Sequence, residues 1–211
     1  MSAQGTSMST VNTPIDTTVV RAALDEAAQA LDGLRRNDEA LAAVARAASL
    51  LADAFAAGRK AMSCGNGGSM CDAMHFAEEL SGRFRDDRPA YPAVAISDVT
   101  HMSCVGNDYG FERVFARFVE AHGQPGDVLL AITTSGTSRN VVAAAEVAKA
   151  RGVRVIALTG NRGSPLEALA DVAIVTPGGR YADRVQELHI KVIHILIELV
   201  EGHLAGAAAQ R

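Results

Sequence analysis

The chain contains no tryptophan, and aromatic residues make up only 4% of its 211 positions. So thin a supply argues against a stacking platform for single-stranded nucleic acid. Charge of one sign is also missing: 20 Lys and Arg stand against 24 Asp and Glu, a formal net charge of −4. That balance gives no broad attraction to nucleic acid or to an anionic membrane, so an anionic ligand would have to be met by local donors. Cysteines are few: Cys64, Cys71 and Cys104 are odd in number and lack CxxC spacing. They exclude a disulfide framework and point to a reducing, cytoplasmic compartment. No apolar run reaches the roughly 18 residues of a membrane span; the longest candidate, Val192–Val200, is broken by His194 and Glu198. Residues 1–14 are rich in Ser and Thr and lack the basic flank and apolar stretch of a signal peptide, so a disordered leader is expected there.

What is present is enough apolar material, 48% of the chain, for one compact domain with a sizeable core. Residues 15–58 read as two helices. Thr17 or Asp16 caps the first, from about Thr18 to Leu34, with Leu24, Ala27, Ala28 and Leu31 on one face. Asn37 or Asp38 caps the second, which Gly58 stops, with a stripe of Leu41, Val44, Ala45, Ala48, Leu51, Ala52 and Phe55. The stripe suits either core packing or a subunit interface.

From residue 59 to 204 the pattern becomes strand, loop, helix. Strands are predicted at Lys60–Cys64, Ala93–Ser97, Val128–Thr133, Val153–Thr159 and Val172–Val175, with helices between them and a long closing helix over Tyr181–Leu204. Residues 205–211 are expected to fray. Short apolar strands alternating with helices predict an α/β fold, a parallel sheet covered on both faces. Ligands in such sheets bind beyond the carboxyl ends of the strands.

Two loops fall at such ends. Thr133-Thr134-Ser135-Gly136-Thr137-Ser138 leaves a strand and opens a helix. Its hydroxyls and the unpaired amides of the helix N-terminus suit a phosphate monoester, and one hydroxyl alone would suffice for a cap. No Walker lysine follows, which disfavours a P-loop nucleotide site. Gly65-Asn66-Gly67-Gly68-Ser69 holds the same relative place after the first strand. It lacks GxGxxG spacing, so it reads as a tight turn or as a close backbone approach to a small sugar chain rather than a dinucleotide site.

Two helix-borne pairs stand beside these loops. His75 and Glu79, four apart, share a helix face and form either a surface ion pair or a metal or acid–base pair. Gln186 and His194, eight apart on the last helix, fall within one neighbourhood of its surface. His194 sits in an apolar run, as a core histidine would, but Gln186 on its face favours an interior site. His189 lies off that line, and His101, His122 and His203 read as structural or exposed. Asn107 and Asp108, expected in a loop, form an Asx turn or contact sugar hydroxyls. Loops for an anion and helical groups for a metal or a proton together suggest an enzyme acting on a phosphorylated small molecule.

Taken as a set, Ser63–Ser69, His75–Leu80, Val105–Asp108, Thr134–Gly136 and Ala182–His194 closely resemble the sedoheptulose 7-phosphate isomerases, or phosphoheptose isomerases, of the SIS (sugar isomerase) superfamily. The resemblance runs from about Ile15 to Leu204, and one departure is Met70, where some relatives carry a polar residue. It implies a flavodoxin-like five-stranded parallel sheet and a homotetramer with active sites at subunit interfaces. It implies one zinc ion per subunit at His75, Glu79, Gln186 and His194. It implies sugar-phosphate contacts from Asn66, Gly67, Gly68, Ser69, Asn107, Asp108, Thr133, Thr134, Ser135, Ser138 and Gln186, and acid–base roles for Glu79 and His194. The implied reaction converts D-sedoheptulose 7-phosphate to D-glycero-D-manno-heptose 7-phosphate, the entry to heptose for lipopolysaccharide. The competing class is a non-catalytic SIS module that regulates or binds a sugar phosphate; the retained Glu79 and His194 favour the enzyme. Neither reading calls for a nucleic-acid or membrane partner.

Overall fold

The computed structural model describes residues 16–209, with side chains through residue 206. The expected leader, residues 1–14, lies outside the described residues. Two helices come first, α1 (Thr17–Arg35) and α2 (Asp38–Ala56). The sheet then alternates with helices: β1 (Ala61–Cys64), α3 (Gly68–Ser81), β2 (Ala93–Ala95), α4 (Val99–Tyr109), a 3-10 turn (Phe111–Arg113) and α5 (Val114–His122). It continues through β3 (Val128–Thr133), α6 (Arg139–Ala150), β4 (Arg154–Thr159), α7 (Pro165–Leu169), β5 (Val172–Val175) and α8 (Ala182–Ala209).

All strand pairings are parallel, in the order β2-β1-β3-β4-β5. The winding direction reverses between β1 and β3, and a crevice opens at the carboxyl ends of two strands whose connections leave in opposite senses. The glycine loop follows β1 and the hydroxyl loop follows β3, so topology alone puts both at that crevice.

Both faces of the sheet are covered, which is why β3 is apolar throughout Val128–Ile132 rather than alternating. Val128, Leu130 and Ile132 belong to the core shared with α2, α3 and α8. Leu129 and Ala131 belong to the core shared with α5 and α6. All five are fully buried. At the opposite end of the sheet Asp127, 1% exposed, accepts from the Lys60 backbone amide at 3.1 Å and pairs with its ammonium at 2.5 Å. This buried pair pins the starts of β1 and β3 side by side.

The N-terminal helices end where the sequence directs. The Asp16 carboxylate accepts from the Thr18 amide at 3.0 Å, and the Asn37 side chain from the Ala40 amide at 3.1 Å. Gly58, at φ +70°, takes the left-handed conformation after α2. The buried face of α2 differs from the expected stripe. Ala40, Ala43, Val44, Ala47, Ala48, Leu51, Ala52 and Phe55 are buried, whereas Leu41 is 44% exposed and Ala45 faces outward. Alanines carry the seam because α2 lies close against α8. On α1, Leu24 is 65% exposed although it leads the expected apolar face.

Two further expectations need correction. Asn107 and Asp108 lie inside the last turn of α4, not in a loop, because Gly110 at φ +86° stops that helix later than expected. The closing helix does not end near Leu204 but continues through Ala209. Among the described residues no helix is long and apolar enough to cross a membrane.

Candidate active site

The glycine loop turns directly from β1 into α3. Gly67 has φ +54°, ψ −121°, a conformation that L side chains rarely adopt. A Cβ on Gly65 would lie 2.6 Å from the Ser69 carbonyl oxygen, so the close turn demands its absence. One on Gly68 would lie 3.3 Å from Gln186 Cγ, which is how α8 packs onto this loop. Asn66, Gly68, Ser69, Thr134, Ala182, Asp183 and Gln186 line a cavity of about 310 Å³. The loops that follow β1 and β3 and the start of α8 thereby meet at one cavity, while Gly67, Thr133, Ser135 and Ser138 do not line it.

The hydroxyl loop is wired internally. Thr133 Oγ1 lies 2.8 Å from Ser138 Oγ and 3.3 Å from Ser135 Oγ. Ser135 Oγ accepts from the Thr137 amide at 3.2 Å. Ser138 holds the N-cap position of α6, yet its hydroxyl makes no capping bond. Asn140 Oδ1 takes the Val141 amide at 3.0 Å, which leaves the Arg139 and Asn140 amides at the start of α6 for another acceptor, as a phosphate group would provide. Asn66 and Asn140 bridge the two loops by a reciprocal amide pair, at 2.9 and 2.8 Å.

Next to this cavity, α3 and α8 bring three ligating side chains together. One ligand atom from each of His75, Glu79 and His194 lies within 4.8 Å of the others. His75 Nε2 is 2.8 Å from His194 Nε2 and 3.4 Å from Glu79 Oε1. A tetrahedral zinc ion with ligands at about 2.0–2.1 Å would separate its donors by roughly 3.3 Å. The His75–Glu79 spacing matches that value, and the two imidazoles need to open by only about half an ångström. Two imidazoles and a carboxylate are also the donor types zinc prefers. The Glu78 carboxylate, 3.1 Å from His75 Nδ1, is placed to accept its N–H and leave Nε2 as the ligating atom.

The residues 24–160 match the family described as the SIS domain. The phosphoheptose isomerase of Yersinia enterocolitica is 56% identical over 189 residues, covering 90% of this chain and 98% of that protein. That of Escherichia fergusonii is 57% identical over 187 residues, covering 89% of this chain and 97% of that protein. Among solved structures, phosphoheptose isomerase from Francisella tularensis superposes with a TM-score of 0.83 at 34% identity, over 89% of this chain and 98% of that one. The chain belongs to the phosphoheptose isomerases, within the SIS-domain family. It is an isomerase of that family.

Two buried polar residues in this isomerase stand out, one absent from the sequence reading and one set there off the Gln186–His194 line. Asp72, 2% exposed, accepts from Gln186 Nε2 at 2.7 Å, while its other oxygen has no protein partner. Burial pushes its carboxyl up to about 6, against the opposing pull of the Gln186 hydrogen bond and the nearby His75. The bond commits the Gln186 nitrogen and leaves Oε1 as its free acceptor. Asp72, His75 and Glu79 stand at i, i+3 and i+7 on α3, a face that the sequence displays once Asp72 is counted. The other is His189, fully buried, with neither ring nitrogen hydrogen-bonded.

Asn107 and Asp108 are exposed on α4 and do not line the cavity. They form a unit of their own, Asn107 Nδ2 donating to Asp108 Oδ1 at 2.7 Å. His101, expected to be structural or exposed, donates from Nε2 to the Val114 carbonyl at 2.9 Å.

Proposed function

We propose that the chain converts D-sedoheptulose 7-phosphate to D-glycero-D-manno-heptose 7-phosphate, the entry to heptose for lipopolysaccharide. The observation that carries this reading is the meeting of His75, Glu79 and His194 on α3 and α8, the two helices whose Ser69 and Gln186 line a cavity together with Thr134 of the hydroxyl loop. Relatives that match nearly end to end at 56–57% identity and bear the name phosphoheptose isomerase favour catalysis over a non-catalytic binding module.

The hydroxyls of Thr133, Thr134, Ser135 and Ser138, with the α6 amides, bind the phosphate. Asn66, Gly67, Gly68, Ser69 and Gln186 receive the sugar chain; Asn107 and Asp108, which stand outside the cavity of their own chain, would serve its hydroxyls from a neighbouring subunit. Ketose–aldose interconversion needs a proton removed at C1, an enediol(ate), and a proton delivered to C2. Glu79 and His194 hold and move that proton, and no net proton is gained or lost. His75, Glu79, Gln186 and His194 would hold a zinc ion, one per subunit, which supplies electrophilic stabilisation of the developing oxyanion.

A homotetramer with sites at subunit interfaces belongs to the same proposal. Val19, Val20 and Leu24 on α1, Leu41 on α2, and Ile195 and Leu199 on α8 are large apolar side chains left exposed by the single chain. The N-terminal helices, residues 15–58, supply much of that face. Three unpaired cysteines agree with a cytoplasmic setting.

The test is turnover of D-sedoheptulose 7-phosphate with and without a chelator, followed by zinc restoration. Loss on chelation and recovery with zinc is the expected result. No turnover by folded, zinc-loaded protein would reject the substrate assignment.

A further inference from the structure

The segment between α3 and β2 carries one arginine that does more than end a helix. Arg88 is nearly enclosed, its side chain 11% exposed. Its Nη2 donates to the Glu79 carbonyl at 2.6 Å. Its Nη1 is shared among the carbonyls of Leu80 at 2.8 Å, Gly82 at 3.0 Å and Pro89 at 3.3 Å. The last carbonyls of a helix have no intrahelical donor, and here one planar guanidinium meets two of them, those of Glu79 and Leu80. Its third nitrogen, Nε, donates to Glu201 Oε1 at 2.8 Å. Glu201 belongs to α8 and is itself only 18% exposed. The guanidinium also lies over the Tyr91 ring, 4.6 Å from its centroid, and Tyr91 stacks on Phe55 of α2 at 5.3 Å.

These contacts join the two helices that carry the candidate metal and acid–base groups. Glu79 is both a site residue and a carbonyl held by Arg88. His194 stands seven residues, two turns or about 10 Å, before Glu201 along α8. With the last turn of α3 and the Glu201 position of α8 held by the same guanidinium, the approach of His75 and Glu79 to His194 is constrained as well. We propose that Arg88 is a positioning residue that ties α3 to α8 and sets the spacing of the zinc-binding and acid–base side chains. The inference rests on the zinc reading given above.

Arg85 provides a built-in comparison. It also links this region to α8, through Glu198 at 2.7 Å, but both side chains are more than half exposed and it holds no α3 carbonyl. An exposed pair of that kind contributes little.

The experiment measures zinc affinity by competition with a chromophoric chelator, thermal stability, and kcat and KM for the sugar phosphate. It compares wild type, Arg88→Lys, Glu201→Gln and Arg85→Gln. Lysine keeps the charge but not the fork, and Glu201→Gln leaves every α3 carbonyl contact in place while removing the charged tie to α8. Zinc affinity is expected to fall about 10–100-fold in Arg88→Lys, as for other residues that orient metal ligands, and less in Glu201→Gln. kcat falls with it while KM stays within about twofold, and Arg85→Gln matches wild type. If Arg88→Lys does not fold, Glu201→Gln decides the question alone. Folded variants with lowered thermal stability but wild-type zinc affinity and kcat would reduce Arg88 to a helix cap and overturn the proposal. If wild type itself binds no zinc, the metal reading is what fails; the tie is then judged on kcat at saturating sugar phosphate, where an unchanged kcat overturns it.

Discussion

His75 and His194 are 119 residues apart in the chain, yet their Nε2 atoms lie 2.8 Å apart. Two imidazole nitrogens so placed face one point between α3 and α8, and a cation at that point would be shared by both. Glu79, one turn along α3 from His75, adds the negative charge that such a cation needs. The pair thus converts two separate sequence features into one centre.

Replacing Glu79 with Gln is the most direct probe of that centre. The amide keeps the shape of the side chain but neither takes up a proton at neutral pH nor carries charge. kcat is expected to fall about 10²–10⁴-fold, the usual weight of a positioned acid or base. Stability should change by less than about 1 kcal/mol, since Glu79 is not part of the apolar core. Steady-state kinetics beside a thermal melt checks both; undiminished turnover removes Glu79 from the chemistry.

Much of this was legible before any coordinates. Strand order could not be read from the chain, but apolar strands alternating with helices gave the parallel sheet, and both loops fell at strand ends. The i, i+4 spacing put His75 and Glu79 on one face because helix geometry leaves no other choice. The missing parts share a cause: each depends on a long-range partner. Asp72 is an ordinary-looking acid until Gln186, 114 residues away, bonds to it. Asn140 reads as a helix-start residue until Asn66 reaches it. Arg88 sits in a Pro-rich connection with no periodicity to mark it. The α2 stripe suits either core or interface by sequence; the close approach of α2 to α8 selects the alanines for the seam and leaves Leu41 exposed.

The Asn66–Asn140 pair couples the glycine loop to the start of α6. Asn140 is 4% exposed, and its amide both donates to and accepts from Asn66. Asn140→Ala leaves the Asn66 amide without its partner, and KM for the sugar phosphate is expected to rise about tenfold, the effect of losing one or two hydrogen bonds. Asn66→Ala should raise KM further, since Asn66 also lines the cavity, and the double variant should be little worse than Asn66→Ala alone, because the Asn66–Asn140 bond is lost in both. Strictly additive effects on KM in this cycle would show that the two residues act independently.

Gly136 holds the hydroxyl loop in shape. Its φ of +70° is strained for any other residue, and a Cβ there would lie 2.3 Å from Ser164 Oγ and 2.9 Å from Thr159 Oγ1. Gly163 has nearly the same φ, +68°, but a Cβ there meets nothing within 4 Å. Gly163→Ala should therefore cost about 1 kcal/mol from backbone strain alone. Gly136→Ala adds overpacking and should cost roughly 2–4 kcal/mol, with a raised KM as the loop hydroxyls shift. Urea melts of the two variants at one protein concentration separate strain from clash, and equal losses would show that the Ser164 contact relaxes freely.

His189 supplies a dependence on pH. It is fully buried, and burial lowers its imidazole from the ordinary 6.5 to about 4, with the facing Thr159 carbonyl pulling the other way. The folded protein therefore keeps His189 neutral where the unfolded chain would protonate it. Its contribution is fully present above pH 6.5 and is lost as pH falls through 4, because over that window the unfolded state binds the additional proton. A drop of that size corresponds to roughly 3 kcal/mol at one pH unit per 1.36 kcal/mol. His189→Gln removes the titration, so the stability of that variant should fall less steeply between pH 7 and pH 4.5 than that of wild type. Urea midpoints at the two pH values give the comparison. Parallel losses in both proteins would mean that acid destabilisation arises elsewhere.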